Sequence, residues 1–417
     1  MIQTQELETP ANSVAGRPRL VAILESSSKM GGIQHTTLAL AGRMDRTQWT
    51  PLVICPEEGD LVRACQAAGV DVQTLPVLPM CSTSVWIGNQ TKWPNPFAWL
   101  WNVAAILGTA GRVAGFLKEL RPELVITKGL LCHFYGGIAA RKAKIPCLWY
   151  VQDFVSERFG GIYRTAFRMM ARRVPTGIAV IGPQIVRQLS KTMQDRVRVV
   201  YNAVDTAKFQ KSGSAAALSR GVRRELGIEE DALVVGNAAR LTPWKGQHHL
   251  LEAFAPVSSA FPNARLLLVG GSLFGDQGYE VRLKRRAEEL GIAPRVIFAG
   301  HRPDMHNVLS AVDVFAYCAT EKDICPLSLL EAMSVGLPIA AFDIEGVREA
   351  LTDRRDGLLV PSGDAQALSR ALLELMASPE LRCKVGKSAR ERAERQFSID
   401  RHVVCMQQTL EEVLAGK

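Results

Sequence analysis

The chain has 417 residues, 47% of them hydrophobic and 22% charged, with a net charge of +9. That length exceeds one ordinary core and implies two domains, and the balance excludes a disordered or low-complexity chain. Nine cysteines, an odd number with no C-x-x-C pair, argue against a disulfide framework or a zinc ribbon and fit cytosolic thiols.

The N-terminal stretch MIQTQELETPANSVAGRPRL has acids and polar residues where a signal peptide needs a basic and then an apolar run. A loose tail over residues 1–18 is expected. RLVAILES (19–26) is a β-branched run ending just before a Gly-Gly turn and the apolar helix IQHTTLALAGRM. TPLVICP (50–56), DVQTLPV (71–77), ELVITKG (123–129), CLWYVQD (147–153) and GIAVIG (177–182) continue the series of strands. Between them, Trp93 to Gly111 carries no charge, and its Asn95-Pro96 pair reads as an N-cap followed by the first helical residue. Its prolines, asparagines and Thr favour a buried or interfacial helix over a membrane span. QKSGSAAALSR (210–220) is small and polar, as a linker is.

The strands then restart with LVVGNAAR (233–240), ARLLLVGG (264–271), RVIFAG (295–300), DVFAYC (313–318), PIAAFD (338–343) and GLLVP (357–361). Strands alternating with helices predict parallel βαβ units, hence two Rossmann-like domains in an α/β fold. Ligands of such sheets bind outside the carboxyl ends of the strands, so two facing sheets make a cleft.

Four stretches fall at those ends. In SSSKMGGIQH, Gly31 and Gly32 open a helix and let backbone amides approach an anion, although such a pair is more often only a tight turn. In ARLTPWKGQHH, Arg240 and Lys245 suit a diphosphate, one as a fork and one as a point charge, against the reading of two solvated cations. GHRPDM (300–305), with Arg302, is a turn whose backbone could meet a planar base. In DICPLSLLEAMSVGLP, Asp323 and Glu331 stand eight apart around a helix start. Capping explains an acid there. The sharper reading is an anion on the helix amides with hydroxyls on the flanking carboxylates.

NAARLTPWKGQHHLLEAF, DICPLSLLEAMSVGLPIAA and GVREALTDRRDGLLVPSGDAQALSRALLELMASPELR resemble the retaining glycosyltransferases of family 4, glycosyl transferases group 1, which have the GT-B fold. VRVVYNAVDTAKF (197–209) is similar to the family's interdomain segment, with Ala203 where Gly is usual. The resemblance implies an acceptor-binding domain over 19–204, a donor-binding domain over 205–395, and a C-terminal helix over 396–417 packing back on the first domain. It implies that Arg240 and Lys245 hold the donor's diphosphate, that Glu331 binds the ribose, and that Leu327 and Ser328 offer backbone amides to the phosphate. Asp323 stands where Glu is commoner and would reach a hydroxyl of the donor sugar. Gln152 stands where the family often has His, and Gln152, Asp153 and His133 are candidate contacts to sugar or acceptor. A lone His after an apolar run more often has a structural role, and His248 and His249 read as scaffold.

The implied activity is hexosyl transfer from a UDP-sugar or GDP-sugar to a glycan or lipid-linked acceptor, with retention, in cell-envelope polysaccharide or glycolipid synthesis. No cofactor is expected, since the nucleotide-sugar is a co-substrate. No metal is expected either, because the chain has no Asp-x-Asp pair and its cations can replace the ion. A glycosidase needs both acids at the anomeric centre, which this layout does not provide. Residues 1–200 carry +10 and residues 201–417 carry −1. Trp86, Trp93, Trp99 and Trp101 crowd together, and Arg164, Arg168 and Arg172 recur at helical spacing. These features suit a cytoplasmic enzyme peripheral on the inner face of the plasma membrane, with an anionic surface as partner. An ordinary amphipathic helix and a soluble acceptor are the alternatives. No nucleic-acid module appears, and KMGGIQH lacks the dinucleotide fingerprint of a dehydrogenase. An epimerase on the same fold is the nearest rival activity.

Overall fold

The computed structural model describes residues 17–82, 84–87, 91–155, 161–189, 193, 196–209, 215–271, 277–321 and 323–416. The chain runs β1 (Arg19–Glu25), α1 (Gly32–Arg43), β2 (Trp49–Cys55), α2 (Asp60–Ala67), β3 (Asp71–Thr74), β4 (Ser84–Ile87), β5 (Thr91–Pro94) and α3 (Pro96–Leu120). It continues through β6 (Leu124–Lys128), α4 (Leu130–Ala143), β7 (Cys147–Val151), α5 (Ile162–Ala171), β8 (Gly177–Val180), α6 (Pro183–Gln188) and β9 (Val197–Val199). The second series is α7 (Ala215–Glu225), β10 (Val234–Ala238), α8 (Gln247–Ala260), β11 (Arg265–Val269), α9 (Gln277–Glu289), β12 (Val296–Phe298), α10 (Met305–Ser310) and β13 (Val314–Tyr317). It closes with α11 (Leu327–Val335), β14 (Ile339–Phe342), α12 (Glu345–Ala350), β15 (Leu358–Val360), α13 (Ala365–Ala377), α14 (Pro379–Gln396) and α15 (Ile399–Leu414).

Two large sheets result, with strand orders β3-β2-β1-β6-β7-β8-β9 and β12-β11-β10-β13-β14-β15, beside a β4-β5 hairpin. Every pairing of the six-stranded sheet is parallel. Helices cover both faces of such sheets, so the strands are apolar throughout rather than alternating. β10 and β13 are buried along their whole lengths. Both orders reverse direction once, between β1 and β6 and between β10 and β13, which is where open α/β sheets bind ligands.

Two compact units are distinguished. One takes the chain up to Trp149 with Arg173–Thr176 and Val413–Lys417, and the other takes Tyr150–Arg172 with Gly177–Glu412. The division runs through β7, so β8 and β9 are counted with the second unit.

The expected linker over 210–220 is helical from Ala215 onward, and residues 210–214 lie outside the described part. Ala, Leu and Arg are strong helix formers. The helix is also anchored: Arg223 donates to Ala232 O at 2.8 Å, Ala311 O at 3.1 Å and Asp313 Oδ2 at 2.9 Å. The short strands β4, β5 and β9 were not among the expected elements.

In the first unit, the reversal point holds a buried ion pair. Glu25 and Lys128 are register partners at the ends of β1 and β6, with 1% and 0% of their surface exposed. Lys128 Nζ lies 3.8 Å from Glu25 and donates to Thr36 Oγ1 at 3.1 Å, Ile33 O at 3.2 Å and the Thr37 hydroxyl. Thr37 and Gln34 donate to the Glu25 carboxylate, so both charges are satisfied, as burial requires. This cluster pins the first turn of α1, directly after Gly31 and Gly32.

Candidate active site

The second unit builds its site on the loops after β10 and β13. After β10, Arg240 stands exposed, and Gln247 donates to its carbonyl at 2.9 Å. The chain then makes a single tight turn over Pro243–Lys245 and enters α8 through Gly246, at φ +72. A Cβ there would lie 1.8 Å from Cys318 O, so only glycine lets the two loops approach this closely. Thr320 N donates to Trp244 O at 2.9 Å and ties the same loops again. Lys245 Nζ lies 4.3 Å from the Trp244 ring centroid, and Arg240 lies 5.8 Å from the same ring.

After β13 the chain delivers Asp323. Lys245 Nζ and the Tyr317 hydroxyl both donate to Asp323 Oδ2. The Lys245 and Asp323 side chains are 12% and 17% exposed, so the pair is largely buried yet still reaches the surface. The residue that caps α11 is Pro326, with no side-chain cap. The capping reading of Asp323 is therefore set aside: its carboxylate turns away from the helix to Lys245 and Tyr317. The loop between them is held rigidly. Asn202 Nδ2 donates to Cys325 O at 3.0 Å, and Cys325 holds the uncommon φ of 44. Gly346 approaches so closely that a Cβ would lie 1.7 Å from Asp323 O.

Leu327 and Ser328 are the first two residues of α11, where a helix leaves backbone N–H groups without intrahelical acceptors. Leu329 and Leu330 donate back to Pro326 O at 3.1 and 3.2 Å. One turn on, Glu331 is half-buried, and burial pushes its carboxyl up to about 7 against the pull of Lys208.

Two further candidates come from β7, which ends just before them. Gln152 is buried and donates to Asn202 Oδ1 at 3.3 Å, joining the bond network of the Asp323 loop. Asp153 next to it is exposed to solvent. Partial loss of solvation raises its carboxyl, Arg240 pulls it down and Asp323 pushes it up.

The other candidates stand on other elements. Arg302 follows β12, the edge strand, and is held by Asp304, at 2.8 Å from both Nε and Nη2, and by Glu225. Its guanidinium is raised by Asp304 and Glu225, and Asp304 is drawn down to about 2. What that turn can offer a ligand is its backbone. Gly31, at the cap of α1, and Gly32 belong to the first unit, as does His133. His133 is buried, bonds Thr127 Oγ1 at 2.8 Å and stacks on Trp149 at 5.2 Å. Burial pushes its imidazole down to about 3, leaving it neutral at physiological pH. His248 bonds the Tyr279 hydroxyl at 2.9 Å, and His249 packs on Phe342.

Sequence reasoning missed Tyr317, Trp244 and Asn202. Each had a local signal: an aromatic at a strand end, an aromatic next to a loop cation, and the Asn of YNAVD.

A parallel sheet with two loop cations and an anchored carboxylate at its reversal point has its polar groups where open α/β sheets bind ligands. The whole chain shares its fold with the UDP- and glucose-bound structure of HepE from Anabaena, at TM-score 0.78 and 23% identity, over 94% of this chain and 99% of that one. The fold is that of the GT-B glycosyltransferases. The profile described as Glycosyltransferase Family 4 matches residues 30–208, and that described as Glycosyl transferases group 1 matches 220–392. The chain belongs to this glycosyltransferase family.

Its relatives include the D-inositol 3-phosphate glycosyltransferase of Corynebacterium urealyticum, 33% identical over 204 residues, covering 48% of this chain and 47% of that one. The chain thus spans about half the length of the curated relatives it matches at this level. A longer match is the UDP-Gal:alpha-D-GlcNAc-diphosphoundecaprenol alpha-1,3-galactosyltransferase of Escherichia coli, 25% identical, covering 69% of this chain and 74% of that one.

Proposed function

We propose that this chain transfers a hexosyl group from a nucleoside-diphosphate sugar to a glycan or lipid-linked acceptor, with retention and without an essential metal. The observation that carries the reading is the convergence of Lys245 and Tyr317 on Asp323, beside Arg240 and the start of α11. As the bond from the anomeric carbon to the diphosphate breaks, negative charge builds on the leaving oxygen. Arg240, Lys245 and the amides of Leu327 and Ser328 stabilise that charge more than the ground state, which is what accelerates transfer. Asp323 meets the sugar and Glu331 the ribose. Gln152 and Asp153 are assigned to the incoming acceptor, whose hydroxyl oxygen bonds the anomeric carbon on the face that the diphosphate leaves while its proton passes to the departing phosphate oxygen.

A UDP-sugar is the first choice of donor, supported by the UDP in the HepE structure and the UDP-Gal named for the E. coli relative, with a GDP-sugar second. The E. coli relative's diphosphoundecaprenol acceptor supports a lipid-linked glycan as acceptor. The inositol 3-phosphate relative supports a soluble acceptor as the second reading. Nothing in the site or the relatives points to the epimerase.

Incubation with a panel of UDP- and GDP-sugars, with and without lipid-linked and soluble acceptors, should release nucleotide in an acceptor-dependent way. Mass spectrometry reads the nucleotide, and NMR of the product reads the anomeric configuration. Activity should persist in excess EDTA. Loss with EDTA and recovery with Mg²⁺ would refute metal independence, and an altered donor formed without acceptor would restore the epimerase.

A further inference from the structure

We propose that the outward face of α3 is a docking surface for an anionic lipid bilayer. The helix packs along α4, and most of the side chains it buries are small: Ala98, Ala105, Thr109, Ala110, Val113 and Ala114, with Leu117. Asn95 Oδ1 caps its start by accepting from Ala98 N at 3.1 Å, with Pro96 at the first helical position. A soluble helix packed on one side presents polar residues on the other. This one presents Phe97, Leu100, Trp101, Val103 and Leu107, exposed by 79%, 71%, 48%, 52% and 50%. These are half of the large apolar side chains exposed among the described residues, gathered on about three turns of one helix. Exposed apolar surface of this density marks an interaction site. The polar atom of Trp101 is already satisfied, donating to Pro79 O at 2.9 Å, so its ring is left as apolar surface.

The charge pattern selects the occupant. No acidic residue occurs between Asp71 and Glu119, while Arg112 and Lys118 are exposed on this helix. Each stands eleven residues beyond an exposed apolar residue, Trp101 and Leu107 respectively, and so about three turns along the same stripe. Apolar side chains followed by Arg112 and Lys118 on one face, against Glu119 as the single acid of the helix, match acyl chains bordered by anionic headgroups. The helix is long and apolar enough to cross a membrane by composition, but its packed face keeps it lying against α4. The surface belongs wholly to the first unit and does not depend on the transferase reading.

The test is co-sedimentation of the full chain with vesicles of phosphatidylcholine alone or with about one-third phosphatidylglycerol, at low and high salt. Wild-type protein should bind the anionic vesicles. The triple variant Phe97→Gln/Leu100→Gln/Leu107→Gln should bind at least about tenfold more weakly, with an unchanged melting temperature because all three side chains are exposed. Arg112→Ala/Lys118→Ala should reduce the preference for anionic over neutral vesicles. Wild-type protein that binds neither vesicle, or a folded triple variant that binds as wild type, would overturn the proposal. So would a wild-type dimer in sedimentation velocity that the triple variant dissolves, since a second copy would then be the occupant.

Discussion

Lys245→Ala is expected to lower sugar transfer by about 10²-fold or more, as removal of a preorganised donor to a developing oxyanion does. In the free protein the ammonium is already aimed. The Trp244 ring lies beneath it, and Asp323 holds it in place with Tyr317 on the same oxygen. On the proposed reading, the arriving diphosphate meets a cation that Trp244 and Asp323 already hold in place. The pairing makes a second, opposite effect testable. Asp323 competes with the diphosphate for Lys245, so Asp323→Asn should strengthen binding of the nucleoside diphosphate alone by severalfold, about 1 kcal/mol, while lowering transfer. Calorimetric titration with UDP and GDP, alongside turnover, reads both variants. Near-normal turnover in a folded Lys245→Ala protein would end the assignment. Nucleotide binding weakened by Asp323→Asn would show that the carboxylate organises the loop rather than competing for the cation.

Nucleotide affinity of the wild-type protein is expected to rise as pH passes upward through about 7, and Glu331 is the reason. Its carboxyl is held up to about 7 by burial, yet ribose hydroxyls donate best to the ionised form. Below that value, binding must first remove a proton, so affinity should fall by up to about tenfold per pH unit. Glu331→Gln should flatten the profile and at pH 8 weaken binding by about 1.5–3 kcal/mol, the loss of a hydrogen bond to a charged group. Stability should move the other way. A carboxyl whose folded value lies above its unfolded one takes up a proton on folding between roughly pH 4.5 and 7, so stability declines as pH rises across that window. At pH 8 the ionised, half-buried group is a net burden. Glu331→Gln should then raise the melting temperature of the free protein at pH 8 and leave it nearly unchanged at pH 4.5, where the carboxyl is protonated in the fold. A wild-type affinity that is flat from pH 6 to 8 would remove Glu331 from the nucleotide site.

Much of this architecture is local, and the sequence by itself determined it. Runs such as RLVAILE, LVVGNAA and DVFAY read as strands because a strand covered on both faces has no polar side to interrupt it. Arg240 and Lys245 were legible as loop cations between a strand and a helix, and Asn95-Pro96 as a helix start, because strand ends and caps are set by neighbours in the chain. Tertiary structure alone decided the rest. An acid before a helix has the same local signature whether it caps the helix or pairs elsewhere, and Asp323 is drawn to Lys245, 78 residues away in sequence. Where the helix over residues 215–220 docks was decided by Arg223, which reaches Ala311 O and Asp313 far along the chain. The titration of Glu331 depends on how much solvent its surroundings exclude. The free face of α3 depends on which side α4 covers, because an all-apolar helix does not itself say which stripe will be buried. In each case the deciding partner is distant in sequence, and only the packed fold brings it within a few ångströms.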